Sequence, residues 1–224
     1  MNRYVLGDLH GNYRALKEVI RKSRIDKDKD ELYFLGDLAD SYPEPEKCLH
    51  ELLSFKYFYP IIGNHDLFLK KWLYSGQIDK RWVKLNGLQT IKKFEGHEDF
   101  LKEYFEKAKY YHLINDTFLC HGGFNHKRII TKQKMLNFAI NRTLYQVSFQ
   151  YKRSKIKFKP VFNENNDTPI NRIIIGHSVT PNYLPSFNSN LINIDTGAGN
   201  GGKLTIMDLD SLKYYQSSYS KSLY

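Results

Sequence analysis

The sequence predicts an α/β fold (α+β in some schemes) of two facing mixed β-sheets flanked by helices, a four-layer αββα sandwich that carries a helical cap. Two observations predict it. The first third alternates short apolar runs with helically spaced apolar residues, the signature of parallel βαβ units. From Tyr110 onward the texture changes to closely spaced strand-like runs. A parallel half followed by a strand-rich half fits two sheets packed face to face with helices outside.

Taken in order, Tyr4 to Leu6 is the first strand, Leu16, Val19 and Ile20 share one helical face, and Leu32 to Leu35 is the second strand. Leu49, Leu52 and Leu53 mark a second helix, and Tyr57 to Ile62 a third strand. The stretch 66–109 is helical in pattern and rich in Lys, Glu and aromatics, which predicts the cap. Strands are then expected at Tyr110–Ile114, Thr117–Cys120, Arg172–Ile175, Leu191–Ile194 and Lys203–Asp208, with one helical segment near Lys132 to Leu144. Between Tyr151 and Pro169 a polar, basic stretch reads as a long loop or extended hairpin. Within it cations alternate with apolar residues from Lys155 to Lys159, the pattern of a solvated strand with one packed face, or else of a groove wall for a polyanion. The Ser-rich tail 216–224 is expected to fray. The prediction is one domain over 1–215.

A chain of 224 residues is long enough to bury a full core. Its 41% hydrophobic and 26% charged content excludes both a disordered chain and a membrane bundle. No stretch approaches the roughly 20 apolar residues of a membrane-spanning helix. Met1 runs directly into the first strand and leaves no room for a leader, so the expected location is the cytoplasm, with no membrane partner. Cys48 and Cys120 form no CxxC pair and read as reduced thiols. A net charge of +10 biases the partners toward polyanions such as nucleotides, nucleic acid or acidic phosphopeptides.

Five predicted strands end in a short polar motif: Gly7-Asp8-Leu9-His10-Gly11, Gly36-Asp37-Leu38-Ala39-Asp40, Gly63-Asn64-His65-Asp66, Cys120-His121-Gly122-Gly123 and Gly176-His177-Ser178. Strand ends are where α/β sheets place their sites. One such motif is most often a satisfied turn; five in one chain are not. Asp8 and Asp37 offer carboxylates, His10, His121 and His177 imidazoles, and Asn64 an amide oxygen. These are the residue types that hold two divalent ions, and the mixed oxygen and nitrogen set suits manganese first, then iron or zinc, better than calcium or magnesium. In an extended segment Asp8 and His10 point to one side and can grip one ion together. The run Gly197 to Gly202 leads into a strand pattern, not a helix, which excludes a dinucleotide loop. His50, His97, His112 and His126 lie outside any motif and read as surface or packing residues.

In this order, the motifs GDLHG, GDLAD, GNHD, HGG, GHS and IDTGA resemble those of the calcineurin-like metallophosphatases, most closely the phosphoprotein phosphatase branch with its bacterial and phage serine/threonine phosphatases. The resemblance runs from Gly7 to Gly202, and Trp82 to Gly87 with Thr90 resembles the cap of bacterial members. It implies that Asp8 and His10 bind the first metal, that Asp37 bridges both, and that Asn64, His121 and His177 complete the second. It implies a metal hydroxide as nucleophile, His65 as the general acid for the leaving group and Asp40 as the partner that fixes it. If the GNHD segment is extended, His65 points away from Asn64 toward that leaving group. Asp195 is expected to order the site without touching the ions. Ser41 departs from the family, which has a phosphate-binding arginine there; Arg142 is the expected substitute, against the plainer reading of a solvated helix residue.

The function so implied is two-metal hydrolysis of phosphomonoesters, with phosphoserine or phosphothreonine in proteins as the first substrate and small phosphoesters beside them. The alternative is symmetrical hydrolysis of dinucleoside polyphosphates, by relatives that tend to lack the acid at the position of Asp40. A third reading, a basic nucleic-acid-binding module with a vestigial metal site, rests on Ser41 alone and is opposed by the complete ligand set.

Overall fold

The computed structural model describes residues 1–154, 156–165 and 168–224, apart from the Arg153 side chain. The chain opens with β1 (Arg3–Leu6), α1 (Tyr13–Ser23), β2 (Glu31–Phe34), α2 (Pro45–Leu53) and β3 (Tyr57–Pro60). Four helices follow: α3 (Asn64–Ser75), α4 (Lys80–Val83), α5 (Gly87–Phe94) and α6 (Glu98–Lys107). The second half holds β4 (Tyr111–Ile114), β5 (Thr117–Cys120), α7 (Met135–Ile140), α8 (Thr143–Ser154), β6 (Arg172–Ile175), β7 (Ser186–Asn188), β8 (Leu191–Asn193), β9 (Thr205–Asp208), β10 (Tyr214–Gln216) and α9 (Ser220–Leu223).

The strands form two five-stranded mixed sheets, β10-β9-β1-β2-β3 and β4-β5-β6-β8-β7. Strands β1, β2 and β3 are parallel, as are β5, β6 and β8. Side chains alternate across each strand, and the sequence uses both faces. Leu6, Leu32 and Phe34 pack under α1 and α2, while Val5, Tyr33 and Leu35 meet Leu119, Ile174 and Ile192 of the other sheet. Phe118, Ile173 and Ile175 face the opposite way, toward Phe138 and Leu144 of α7 and α8. Near-continuous apolar strands therefore follow from burial on both faces. Layers run helix, sheet, sheet, helix.

Three expectations are corrected. The helical stretch near Lys132 to Leu144 is two helices, α7 and α8, with α8 extending to Ser154. The alternating segment from Lys155, itself outside the described residues, is not a strand through 156–159. Instead the Asn190 side chain takes the place of a strand partner: its oxygen accepts from Phe158 N–H at 2.8 Å and its amide donates to Phe158 C=O at 3.0 Å. Phe158 is buried against the Tyr151 ring, centroids 4.4 Å apart. The tail does not fray. Ser220 is fully buried and accepts from Asn12 Nδ2 at 2.7 Å, and Tyr224 lies under Arg14 and donates to Glu44 at 2.6 Å. Serine hydroxyls satisfy buried polar groups there, so no apolar pattern announced the packing.

Candidate metal centre

Because β1, β2 and β3 run parallel, the loops after them emerge on one edge of the first sheet, and the loops after β5 and β6 emerge from the second. Asp8, His10, Asp37, Asp40, Asn64, His65, Arg142 and His177 thereby line one cavity of about 350 Å³. His121, fully buried, lies among them, its Nε2 3.3 Å from Asp37 Oδ2, 3.2 Å from Asn64 Oδ1 and 3.2 Å from His177 Nδ1. All nine residues singled out in the sequence are therefore together.

The local conformations differ from the expected ones. The segment from Asp8 to His10 is not extended, because His10 has a left-handed backbone at φ 54°. Asn64 and His65 open helix α3, so the period-two argument applies to neither pair. Convergence comes from tight turns: Leu9 N–H and His10 N–H both donate to Asp37 C=O, at 3.2 and 2.8 Å. Gly176 permits the closest approach, since a methyl there would overlap Asp8 Oδ1.

Two groups share Asp37: His10, Asp37 and His65 on one side, and Asp37, His121 and His177 on the other, each with ligand atoms within 4.8 Å. His10 Nδ1 bonds Ala39 C=O at 3.0 Å and His121 Nδ1 bonds Leu35 C=O at 2.8 Å. Each ring therefore turns Nε2 inward, the orientation that an outer hydrogen bond gives a metal-binding histidine. Asp8 accepts His177 N–H on Oδ2 at 2.9 Å, but its buried Oδ1 has no hydrogen-bond donor. A buried carboxylate oxygen without a donor is costly, and a cation is the partner it fits. The donor set of carboxylates, imidazoles and one amide suits two divalent ions.

The electrostatics agree with a site built to hold positive charge. Burial would lower the His121 imidazole, yet the charges of Asp37 and Asp8 push it up to about 10. Burial likewise opposes His65, which Asp37 and Asp40 raise to about 9. His177 is pushed down to about 3 by burial and by the neighbouring His121 and Arg142. Burial raises Asp8, with Asp195 adding to it, and lifts Asp195 to about 6. Asp37 stays well below the carboxylate range, because His121 and His65 outweigh its burial.

His65 Nδ1 lies 2.7 Å from Asp40 Oδ2. Asp40 is held in turn by the cap: Trp82 Nε1–H reaches both oxygens at 2.9 and 2.8 Å, and Thr90 Oγ1 donates to Oδ1 at 2.6 Å. Arg142 donates to His177 C=O at 2.8 Å and lines the cavity with Ser41. Asp195 also lines it, and its Oδ1 accepts Gly197 N–H at 3.0 Å.

Sequence reasoning missed Asp66. Its carboxylate accepts Gly63 N–H at 2.8 Å, Asp37 N–H at 2.9 Å and Leu38 N–H at 3.0 Å, so it caps α3 and ties two site loops together. Its place three residues after Gly63, at the third helical position, was the available signal. Lys84, Leu85 and Asn86 also reach the cavity from the cap, with no pattern to mark them. Of the other histidines, His50 pairs with His97 at 2.9 Å, His112 packs edge-on to Tyr33 and Tyr59, and His126 meets Tyr151. Cys48 and Cys120 are free and buried.

A family profile described as calcineurin-like phosphoesterase matches residues 1–213. Among curated proteins, the chain is 23% identical to a symmetrical bis(5′-nucleosyl)-tetraphosphatase of Nitrosospira multiformis, covering 96% of this chain and 94% of that one. A protein of the same description from Coxiella burnetii is 40% identical over 68 residues, which is 30% of this chain and 23% of that protein. Among solved structures, one described as a candidate diadenosine tetraphosphatase superposes with a TM-score of 0.66 at 17% identity over 96% of this chain and 92% of that one. A metallophosphoesterase from Sphaerobacter thermophilus gives 0.59 at 17% identity, over 98% and 89%. At those identities the solved structures share the fold.

Proposed function

The chain belongs to the calcineurin-like phosphoesterase family, metal-dependent hydrolases of phosphoric esters, and from that premise we propose that its substrate is a small nucleotide, a dinucleoside polyphosphate cleaved symmetrically. What supports this substrate over a phosphoprotein is the similarity to a symmetrical bis(5′-nucleosyl)-tetraphosphatase along nearly the whole of both chains. In this reading Asp8, His10, Asp37, Asn64, His121 and His177 hold two divalent ions, with Asp37 common to both. Ions bound there supply Lewis acidity toward the phosphoryl oxygens and activate water.

The remaining work belongs to side chains. Arg142, anchored on the His177 carbonyl, presents its guanidinium to the phosphoryl oxygens as a two-pronged donor. His65 carries the proton for the departing oxygen, and Asp40 fixes its ring and supports its charge. Trp82 and Thr90 keep Asp40 in place. Asp195 orders the loop at Gly197.

The experiment is product analysis with manganese. Symmetrical cleavage of diadenosine tetraphosphate gives ADP alone; ATP with AMP, or no turnover, sinks the substrate assignment. A second reading, hydrolysis of phosphoserine monoesters, is favoured by the His65–Asp40 pair at 2.7 Å, because a serine alkoxide leaves only when protonated whereas a nucleotide is a weakly basic leaving group. A kcat/KM higher for a phosphoserine peptide than for the dinucleotide would establish that reading instead.

A further inference from the structure

Ser41, where the family resemblance implies an arginine, stands where the metal cavity borders a second one. This neighbour, about 160 Å³, shares Asp40, Ser41 and Asn86 with the first and extends to Tyr42, Gln89 and Lys93. Lys84 stands on the metal side of the junction and Lys93 on the far side. Neither ammonium has an ion-pair partner among the described residues. Lys84 follows α4 and Lys93 lies in the last turn of α5, and the cap between them is fixed. Trp82 and Thr90 bond the Asp40 carboxylate, Asn86 Nδ2 bonds Asp40 C=O at 3.2 Å, and a methyl at Gly87 would overlap the Trp82 ring, which packs that tightly.

We infer that the Ser41 opening is a subsite for the phosphate beyond the one being cleaved, so that a polyphosphate chain leaves the metal cavity past Ser41 and lies between Lys84 and Lys93. Ser41 is short and exposed at the border of the two cavities, and its hydroxyl can donate to a passing phosphate oxygen. An arginine there would close the passage and add its charge to the metal side instead. Two lysines as point charges, without a planar fork, suit a chain of phosphates held by charge rather than by one fixed geometry. The inference deepens the nucleotide reading above and rests on it for the physiological substrate, but the subsite is tested without it.

The test measures inhibition of p-nitrophenyl phosphate hydrolysis by inorganic orthophosphate and by tripolyphosphate, at fixed free manganese, with titration calorimetry of methylenediphosphonate as a second readout. In the wild type tripolyphosphate should inhibit more tightly than orthophosphate. In the Lys84→Ala/Lys93→Ala double variant the ratio of the two inhibition constants should move about tenfold against tripolyphosphate, the usual reach of exposed charges acting on a multiply charged ligand. Lys84→Arg/Lys93→Arg should restore it. Ser41→Arg should shift the ratio the same way by closing the passage, with thermal melting to show that it folds. Equal changes for both inhibitors in the double variant, or a Ser41→Arg protein that folds and keeps the wild-type ratio, overturn the subsite. Failure to split diadenosine tetraphosphate overturns only the nucleotide reading, because inorganic phosphates still report on the passage.

Discussion

His65→Asn separates acid catalysis from metal binding at this site. The His65 ring stands edge-on to His10, centroids 4.9 Å apart, and His65 falls within ligand distance of His10 and Asp37. Proton donor and metal ligand are therefore the two roles to distinguish. Its main-chain N–H donates to Asp37 Oδ1 at 2.8 Å, a bond that asparagine keeps because the backbone makes it. The lost bond is the one to Asp40 at 2.7 Å, and Asp40 retains Trp82 and Thr90. Losing one hydrogen bond to a charged group costs about 1.5–3 kcal/mol. For a chain of this length that lowers Tm by roughly 3–12 °C, so the variant should fold. As general acid, His65 contributes about 10²–10⁴-fold to turnover of a serine phosphate. The loss on p-nitrophenyl phosphate should be under about tenfold, because nitrophenolate leaves without a proton and the acid has little to contribute. The assay is kcat on both substrates beside elemental analysis of the purified protein. Two metal equivalents with a leaving-group-dependent loss is the expected result. Equal losses on both substrates, or one metal equivalent missing, would refute the general-acid role, the second by making His65 a ligand.

Three further outcomes are expected. Asp37→Asn removes the carboxylate shared by both ligand groups, so metal content and activity should fall together; elemental analysis showing two equivalents and normal turnover would contradict its bridging place. Arg142→Lys cannot both hold the His177 carbonyl and offer a fork to phosphate, so kcat/KM should drop about 10–100-fold, and a steady-state value within threefold of wild type would make Arg142 a structural residue. Trp82→Phe strips a donor from buried Asp40 at a cost of about 1.5–3 kcal/mol; thermal melting should show a lower Tm, and kcat on a serine phosphate should fall more than on p-nitrophenyl phosphate, a split that simple loss of packing would not produce.

The fold was legible where chemistry is contiguous in sequence. Leu32 to Leu35 and Arg172 to Ile175 announce strands because both faces are covered, and the Gly-Asp, Gly-Asn and Gly-His turns mark where those strands end. What escaped depends on partners distant in sequence. Asp40 and Thr90 are 50 residues apart, and nothing local says that a cap threonine and the Trp82 indole share one carboxylate. Phe158 and Asn190 form a pairing that no alternation encodes, since a side-chain amide replaces a strand. The tail escaped for a similar reason: Ser220 is buried by matching Asn12, not by hydrophobicity.

The conformation of the site depends on Asp66, which bonds the main chain of two of its loops. His10, Asp37, Asp40 and His177 all adopt positive φ, at 54°, 58°, 94° and 64°, in the region that L side chains avoid. Such positions cost roughly 1–3 kcal/mol each and persist only when surrounding contacts over-determine them. At Asp37 the determination is visible. Its own C=O takes Leu9 and His10 N–H, its N–H and that of Leu38 go to Asp66, and its Oδ1 accepts from His65 N–H. Asp66 is fully buried, and burial with the charge of Asp37 lifts it to about 6, while its three main-chain donors pull the other way. The carboxylate is thus held at the N-terminus of α3, where the helix dipole favours negative charge. Its position lets one side chain both cap the helix that delivers Asn64 and His65 and brace the turn that delivers Asp37, so those two parts of the site are tied to each other.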